Sequence, residues 1–200
     1  MASDGVRKAE RAELDTLATT LALAFDDDPL TGWLFPGAAA RRRKLPAFFR
    51  SLLRASLPFG EVYAAAGGRC VAIWNPPGTF PLGWYKDAKL GLVTARLIGP
   101  RLRTCARGLM YFQSHHPQDP HWYLQMLGTH PEWQGRGLGS SIVAPVLERC
   151  DAGGERIYLE SSKERNIPFY ARHGFEVTAE LQVPSGPLVW AMWREPRRRS

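Results

Sequence analysis

A run of alternating glycines is the part of this chain that most clearly suggests chemistry. It follows a strand-like segment at residues 123–127, precedes a helix-like segment at residues 138–147, and reads Gln134-Gly135-Arg136-Gly137-Leu138-Gly139. Because glycine lacks a Cβ atom, an anionic group can approach this backbone closely. The first amides of a helix are unpaired donors at the positive end of its dipole. A strand, a glycine turn and a helix start in this order predict a pyrophosphate site.

Two common phosphate motifs fit the loop poorly. The dinucleotide fingerprint G-x-G-x-x-G needs a sixth-position glycine where this chain has Ser140, although Glu160 supplies the acidic residue expected about 20 positions later. Only about 60 residues follow the loop, too few for the rest of a nicotinamide-binding sheet. A nucleotide phosphate loop is excluded because no Gly-Lys-Ser/Thr sequence follows.

A downstream motif narrows the choice. The pattern Gln134-x-x-Gly137-x-Gly139 resembles the acetyl-CoA loop of the GNAT acetyltransferases. The segment Asn166-Ile167-Pro168-Phe169-Tyr170, followed by Gly174-Phe175, resembles that family's Asn-x-x-x-Tyr helix and its Gly-Phe turn. The two motifs occur in the family's order with a predicted strand between them, which makes the resemblance strong.

The later part of the chain resembles, within this family, the proteins similar to puromycin N-acetyltransferase. This narrower resemblance covers roughly residues 120–194 and rests on the runs Tyr158-Leu159-Glu160-Ser161-Ser162, Arg165-Asn166-Ile167-Pro168-Phe169-Tyr170, Val183-Pro184-Ser185-Gly186-Pro187 and Trp190-Ala191-Met192. It points to detoxification of a small amine, such as an amine antibiotic.

The resemblance implies a GNAT fold, a mixed α/β (α+β) architecture. Its central sheet is mostly antiparallel, has about six to seven strands and is flanked by helices. Hydrophobic spacing agrees: it predicts helices at residues 9–24, 42–57, 85–98, 102–113, 138–152 and 167–172, and strands at residues 62–65, 70–74, 123–127, 156–160, 175–183 and 188–193. Residues 33–36 are interpreted as an apolar loop.

Bulk composition favours one enzyme domain. The chain has 200 residues, 44% of them hydrophobic, which is enough for one core. We predict a domain at residues 1–196, with a helical insertion at 75–120 on the acceptor side, and a basic tail at 197–200. No apolar run is long enough to cross a membrane, and the first residues lack a signal segment, so the cytoplasm is expected.

The net charge of +7 and the three cysteines do not suggest other partners. The arginine clusters are interpreted as a solvated face, and they would also favour the phosphates of coenzyme A. The cysteines are widely spaced, which argues against disulfides and a zinc site. We therefore expect that the protein binds no metal, no nucleic acid and no membrane. We expect it to be a monomer or a homodimer.

The resemblance assigns acetyl-CoA as cofactor and names the residues that contact it. The strand at residues 124–129 is expected to carry a bulge and to pair with the pantetheine arm through its backbone, with an amide near Leu127 facing the oxyanion. Asn166 is expected to bind the same arm, or to cap its own helix. The full predicted set is Leu127, Gly128, Thr129, Gln134, Gly135, Arg136, Gly137, Leu138, Gly139, Ser140, Asn166, Phe169 and Tyr170.

Acetyl transfer to an amine needs an acid and a base. Tyr170 is predicted to protonate the leaving thiolate, since a phenol with a pKa near ~10 holds its proton at neutral pH. Many relatives carry a glutamate at the start of the fourth strand, where this chain reads His121-Trp122-Tyr123. Glu160 is the first choice for the base, unless it only pairs with an arginine such as Arg165. His115, His116 and a water relay are alternatives.

Aromatic residues are predicted to build the acceptor pocket, which would suit a flat or nucleoside-like amine. The candidates are Trp33, Trp74, Tyr85, His115 and Tyr123, and Trp74 is favoured because it ends a strand before Pro76-Pro77-Gly78.

The sequence therefore predicts an N-acetyltransferase that moves acetyl from acetyl-CoA to a primary amine of a small molecule, by direct attack in a ternary complex. The alternatives are a protein or peptide N-acetyltransferase, and a non-catalytic acetyl-CoA-binding regulator.

Overall fold

The structure is a computed structural model that describes residues 5–80 and 88–197. Within these ranges the chain forms both strands and helices. The strands are β1 (Arg7–Lys8), β2 (Val62–Ala65), β3 (Cys70–Asn75), β4 (Trp122–Thr129), β5 (Ile157–Ser161), β6 (Glu176–Gln182) and β7 (Leu188–Arg194). The helices are α1 (Leu14–Ala24), α2 (Pro29–Leu34), α3 (Ala38–Ser56), α4 (Ala88–Ile98), α5 (Leu102–His115), α6 (Leu138–Gly153) and α7 (Ile167–Arg172).

The seven strands form one sheet in the order β1-β2-β3-β4-β5-β7-β6. Neighbouring strands are antiparallel except β4 and β5, which are parallel. The predicted fold class, a mostly antiparallel sheet flanked by helices, is confirmed.

The parallel pair β4–β5 is short. Only Trp122 pairs with Ile157 and Tyr123 with Tyr158, although β4 continues to Thr129 beside β3. The register of β3 on β4 shifts between Ile73 and Trp74, which face Met126 and Leu124, so Gln125 is an extra residue on β4. This is the bulge expected from the sequence, and it leaves one side of the later part of β4 without a strand partner.

Apolar side chains fill both faces of the sheet. Helices α1 and α3 cover one face with residues such as Leu21 and Phe49, and α6 covers the other with residues such as Ile142. A third cluster joins Tyr158 of β5 to Val183 and to residues of α5. Different helices therefore cover the two faces of the sheet beside the unpaired part of β4.

Three local features differ from the sequence prediction. The segment interpreted as a loop at residues 33–36 begins inside helix α2. The Asp28 carboxylate caps this helix by accepting from the amides of Leu30 and Thr31, and Pro29 occupies the first turn.

Strand β1 was not predicted, and α3 begins at Ala38 rather than at residue 42. The predicted helix at 85–98 is described from Ala88, and Tyr85 lies outside the described residues.

Gly128 brings helix α1 unusually close to β4. A Cβ atom added there would lie 2.8 Å from Leu21 Cδ2 and 3.1 Å from the Ala24 Cβ atom. We expect Gly128→Ala to lower the free energy of unfolding by about 1–3 kcal/mol, because the helix must move away to relieve the overlap.

The matched control for this change is Gly91→Ala in α4, where an added Cβ meets nothing within 4 Å. It should keep or raise stability, since alanine favours a helix over glycine by about 1 kcal/mol. Denaturant unfolding of both variants decides the matter, and equal losses would contradict the packing argument.

Candidate active site

The glycine loop joins β4 to α6 in a left-handed conformation. Gly135 and Gly137 have φ angles of 75° and 79°, and Gly137 directly precedes the first residue of α6. A Cβ added at either glycine would meet nothing within 4 Å. The loop therefore needs glycine for its backbone, and open space lies above it.

The first turn of α6 offers donors to that space. Ser141 donates the first hydrogen bond of the helix, to the Gly137 carbonyl at 3.0 Å. The amides of Leu138, Gly139 and Ser140 precede that bond, so the helix supplies them with no acceptor. Together with the helix dipole, they form a site that fits a pyrophosphate.

Other side chains of the loop brace it. Gln134 donates to the Thr129 carbonyl, and Ser140 shares a hydrogen bond with His173 beyond α7. The guanidinium groups of Arg136 and Arg69 lie 4.7 and 4.5 Å from the ring centre of Trp133. Both cations therefore stand close to the loop. Gly139 packs against the Phe169 ring, so α6 and α7 lie close together.

Helix α7 places Asn166 and Tyr170 on the far side of the gap. Asn166 precedes the helix and makes no side-chain cap hydrogen bond, so its amide stays available. The Tyr170 ring packs on Phe169 and Phe175. Burial raises the pKa of Tyr170, and the charge of Asp28 raises it further. The phenol therefore keeps its proton at neutral pH.

An acidic turn between α1 and α2 reaches this helix. The Asp28 carboxylate accepts from the Ser162 hydroxyl just after β5, while Asp27 pairs with Lys163 and Arg165. Sequence analysis did not include these aspartates in the site. The Asp-Pro pair was the available signal, because it is typical of a helix start.

Glu160 lies at the point where β4 and β5 separate. Its side chain is 10% exposed, and Oε1 lies 3.6 Å from Nδ1 of His116. Tyr123 and Tyr158 flank the carboxylate; burial, and then the charge of Glu160, raise the pKa of both phenols. The predicted alternative partner, Arg165, pairs with Asp27 instead.

A second histidine lies behind the first. Nε2 of His121 lies 3.1 Å from Nε2 of His116, and both side chains are buried. His115 was predicted to bind substrate, but it is exposed at the end of α5 and contacts the Tyr111 carbonyl at 2.8 Å. Its neighbour His116 occupies the buried position, because the chain leaves the helix there and turns inward.

A cleft of about 230 Å³ opens beside this cluster. Phe80 lies over its inner wall, with ring centres 4.4 Å from His116 and 4.5 Å from Tyr123. Of the predicted acceptor residues, Tyr123 lines the cleft. Its other walls come from the two ends of the predicted insertion at 75–120 and from the residue after it, namely Pro76, Gly78, Phe80, Gln113, His116, Pro117, Gln118, Asp119, Pro120 and His121.

The two predicted tryptophans lie elsewhere. Trp74 is 1% exposed and packs in the core under α6, because alternation along β3 turns it away from the cleft. Trp74 therefore does not line this cleft. Trp33 of α2 packs against Gly108 of α5 and Gly186 before β7, and joins these elements rather than lining the cleft.

A separated β4–β5 pair, a glycine loop at a helix start and a tyrosine helix opposite define a class of acyltransferases. Residues 48–175 match the sequence model of the Acetyltransferase (GNAT) family. The chain therefore belongs to this family and is an acyltransferase; GNAT acetyltransferases use acetyl-CoA.

The chain is similar to acetyltransferases along almost its whole length. It is 27% identical to an uncharacterised N-acetyltransferase of Schizosaccharomyces pombe, over 97% of this chain and 84% of that protein. A structure described as histone acetyltransferase HPA2 and related acetyltransferase, from Corynebacterium glutamicum, aligns with a TM-score of 0.72 and 25% identity over 98% of each chain. The polyamine N-acetyltransferase of Drosophila melanogaster shares the fold, with a TM-score of 0.57 and 19% identity over 95% of this chain and 98% of that one.

Two other kinds of feature are absent from the described ranges. No helix there is long and apolar enough to cross a membrane. Nor do these residues contain a group of three or more histidine, cysteine or acidic side chains placed to hold a metal ion.

Proposed function

We propose that this chain transfers the acetyl group of acetyl-CoA to a primary amine of a small molecule, by direct attack in a ternary complex. The observation that carries the proposal is the separation of β4 from β5, with the glycine loop at one end and Glu160 at the other. Acetyl-CoA, when bound, supplies the thioester whose carbonyl carbon the amine attacks.

The proposed cofactor site follows the gap. The amides at the start of α6 face a pyrophosphate, and Gly135 and Gly137 leave room for it. The unpaired side of β4 from Leu127 to Thr129 offers backbone groups to the pantetheine arm. The free amide of Asn166 and the ring of Phe169 lie on the opposite wall.

Three groups would then handle the charges of the reaction. A backbone amide near Leu127 donates to the oxyanion that develops on the carbonyl oxygen. Tyr170, which stays protonated, donates a proton to the leaving sulfur. Glu160 accepts a proton from the attacking amine, which must be neutral to act as a nucleophile.

Direct attack agrees with the state of the cysteines. Cys70, Cys105 and Cys150 are all buried. Burial raises the pKa of each thiol, that of Cys150 to about 12, so none supplies a thiolate for a covalent acetyl-enzyme.

The cleft supports a small, aromatic or flat acceptor. Its volume of about 230 Å³ lies below the usual range for drug-sized ligands, and rings of Phe80, His116 and Tyr123 line it. The carboxylates of Glu160 and Asp119 lie at or near it and would attract an ammonium group. An aminonucleoside or other amine antibiotic belongs to the acceptors that this chemistry allows.

The first prediction of the proposed function concerns turnover. Thiol release from acetyl-CoA should rise with at least one small primary amine in a panel containing an arylalkylamine, agmatine, puromycin and a peptide with a free N-terminus. Preference for the peptide would overturn the small-molecule acceptor. If no amine causes thiol release while acetyl-CoA still raises the melting temperature, a regulator is favoured over an enzyme.

A second prediction concerns the glycine loop. Gly137→Val should weaken acetyl-CoA binding by at least about tenfold, a loss of 1.4 kcal/mol or more, because the side chain enters the space above the helix start. Thermal shift against acetyl-CoA concentration measures the effect.

Gly37→Val is the matched control for this loop variant. Gly37 also precedes a helix, has a φ angle of 86° and leaves an added Cβ without contacts. Both variants therefore place a β-branched side chain at a positive φ angle, with ψ angles of 114° at Gly37 and −2° at Gly137. Equal acetyl-CoA affinity in the two would refute the loop assignment.

A third prediction concerns the acid. Tyr170→Phe should lower kcat by about 10²-fold with little change in KM. Because the pKa of Tyr170 is raised, the wild-type rate should not fall through loss of this proton below about pH 10. Tyr63→Phe, which also removes a buried hydroxyl, should keep kcat, and a matching loss there would contradict a specific role for Tyr170.

A further inference from the structure

The buried histidine pair beside Glu160 has a defined hydrogen-bond direction. His116 and His121 are 6% and 8% exposed, and their Nε2 atoms lie 3.1 Å apart. A hydrogen bond at this distance needs a hydrogen on one of these nitrogens and a lone pair on the other.

The backbone decides which nitrogen donates. Nδ1 of His121 lies 2.6 Å from the Asp119 carbonyl oxygen, which can only accept, so Nδ1 carries the hydrogen. Burial lowers the pKa of His121, and the ring stays neutral at neutral pH. Its Nε2 atom is then a lone pair, and His116 donates from Nε2.

This arrangement leaves one open position for a proton. With hydrogen on Nε2, neutral His116 presents a lone pair at Nδ1, 3.6 Å from Oε1 of Glu160. Two acceptors at this separation repel each other, and a proton on either atom removes the repulsion. The pKa values of the neighbouring phenols, Tyr123 and Tyr158, are raised, so neither phenol releases a proton to compete.

We infer that the Glu160 carboxylate and Nδ1 of His116 together hold the proton taken from the acceptor amine, and that His121 is a positioning residue which fixes the tautomer of His116. The inference rests on the proposed function. The ammonium loses its first proton to this pair; the nitrogen–carbon bond then forms and the carbon–sulfur bond breaks. The amine nitrogen also loses a second proton, which balances the proton that the thiolate receives. Glu160 and His116 return the first proton to water after the product leaves the cleft.

Few charged groups surround the two histidines, His116 and His121. Glu160 and Tyr158 face His116 from β5, and Tyr123 faces it from β4. Around His121 lie the charge of Arg156, the Asp119 carbonyl and the ring of Trp193 on β7.

The tautomers can be measured without any turnover. Long-range nitrogen–proton NMR of the five histidines, assigned with single histidine variants, should show His121 protonated at Nδ1. Neutral His116 should be protonated at Nε2. A neutral His116 protonated at Nδ1 would overturn the inference, even in an active acetyltransferase.

Enzyme kinetics test whether His116 takes part in accepting the proton. His116→Gln should lower kcat by about 10-fold or more and change the acidic limb of the kcat–pH profile. Acetyl-CoA affinity should be unchanged. His115→Gln, at the exposed neighbour, is the control and should keep the wild-type profile.

Variants of His121 separate positioning from packing. His121→Leu removes the acceptor for His116 and should lower kcat, whereas His121→Gln offers an oxygen and should restore much of that loss. An unchanged limb in His116→Gln, or equal rates in the two His121 variants, would contradict the inference. Absence of turnover in the wild type would instead refute the proposed function, while the NMR pattern decides the tautomers independently.

Discussion

The gap between β4 and β5 is the constraint on which the rest of this structure depends. Two parallel strands that stayed paired would use their backbone groups on each other. Here pairing stops after Tyr123 and Tyr158, and the bulge at Gln125 bends β4 away. Backbone amides and carbonyls along the gap then need other partners, because unpaired groups removed from water are costly. A ligand with its own amides, such as a pantetheine arm, satisfies that requirement.

The two ends of the gap differ in charge, and this asymmetry matches an acetyl transfer. The glycine loop end has the positive start of α6, with Arg69 and Arg136 on either side of Trp133. The other end has the Glu160 carboxylate, and Asp28 binds Ser162 just after the same strand. An anionic donor and a cationic amine would therefore approach from opposite ends and meet near the bulge.

Sequence analysis predicted what local spacing determines. Glycines, alternation and helical periodicity located most strands and helices, because these patterns are set by neighbours along the chain. The burial of Trp74 away from the cleft was not predicted, since the strand face that a side chain occupies depends on which helix covers it. The closeness of His116 to Glu160, and of Asp28 to Tyr170, joins segments far apart in the chain, and no local pattern encodes such contacts. The closer likeness to puromycin N-acetyltransferase stays a prediction.

Hydrogen–deuterium exchange with and without acetyl-CoA tests the central claim most directly, because it reports where the ligand lies. The account predicts slower exchange of amides at residues 124–129 and 135–141, with β1 and β2 unchanged. Protection confined to the cleft residues 113–123, or no protection along β4 and the glycine loop, would show that the gap does not hold the cofactor.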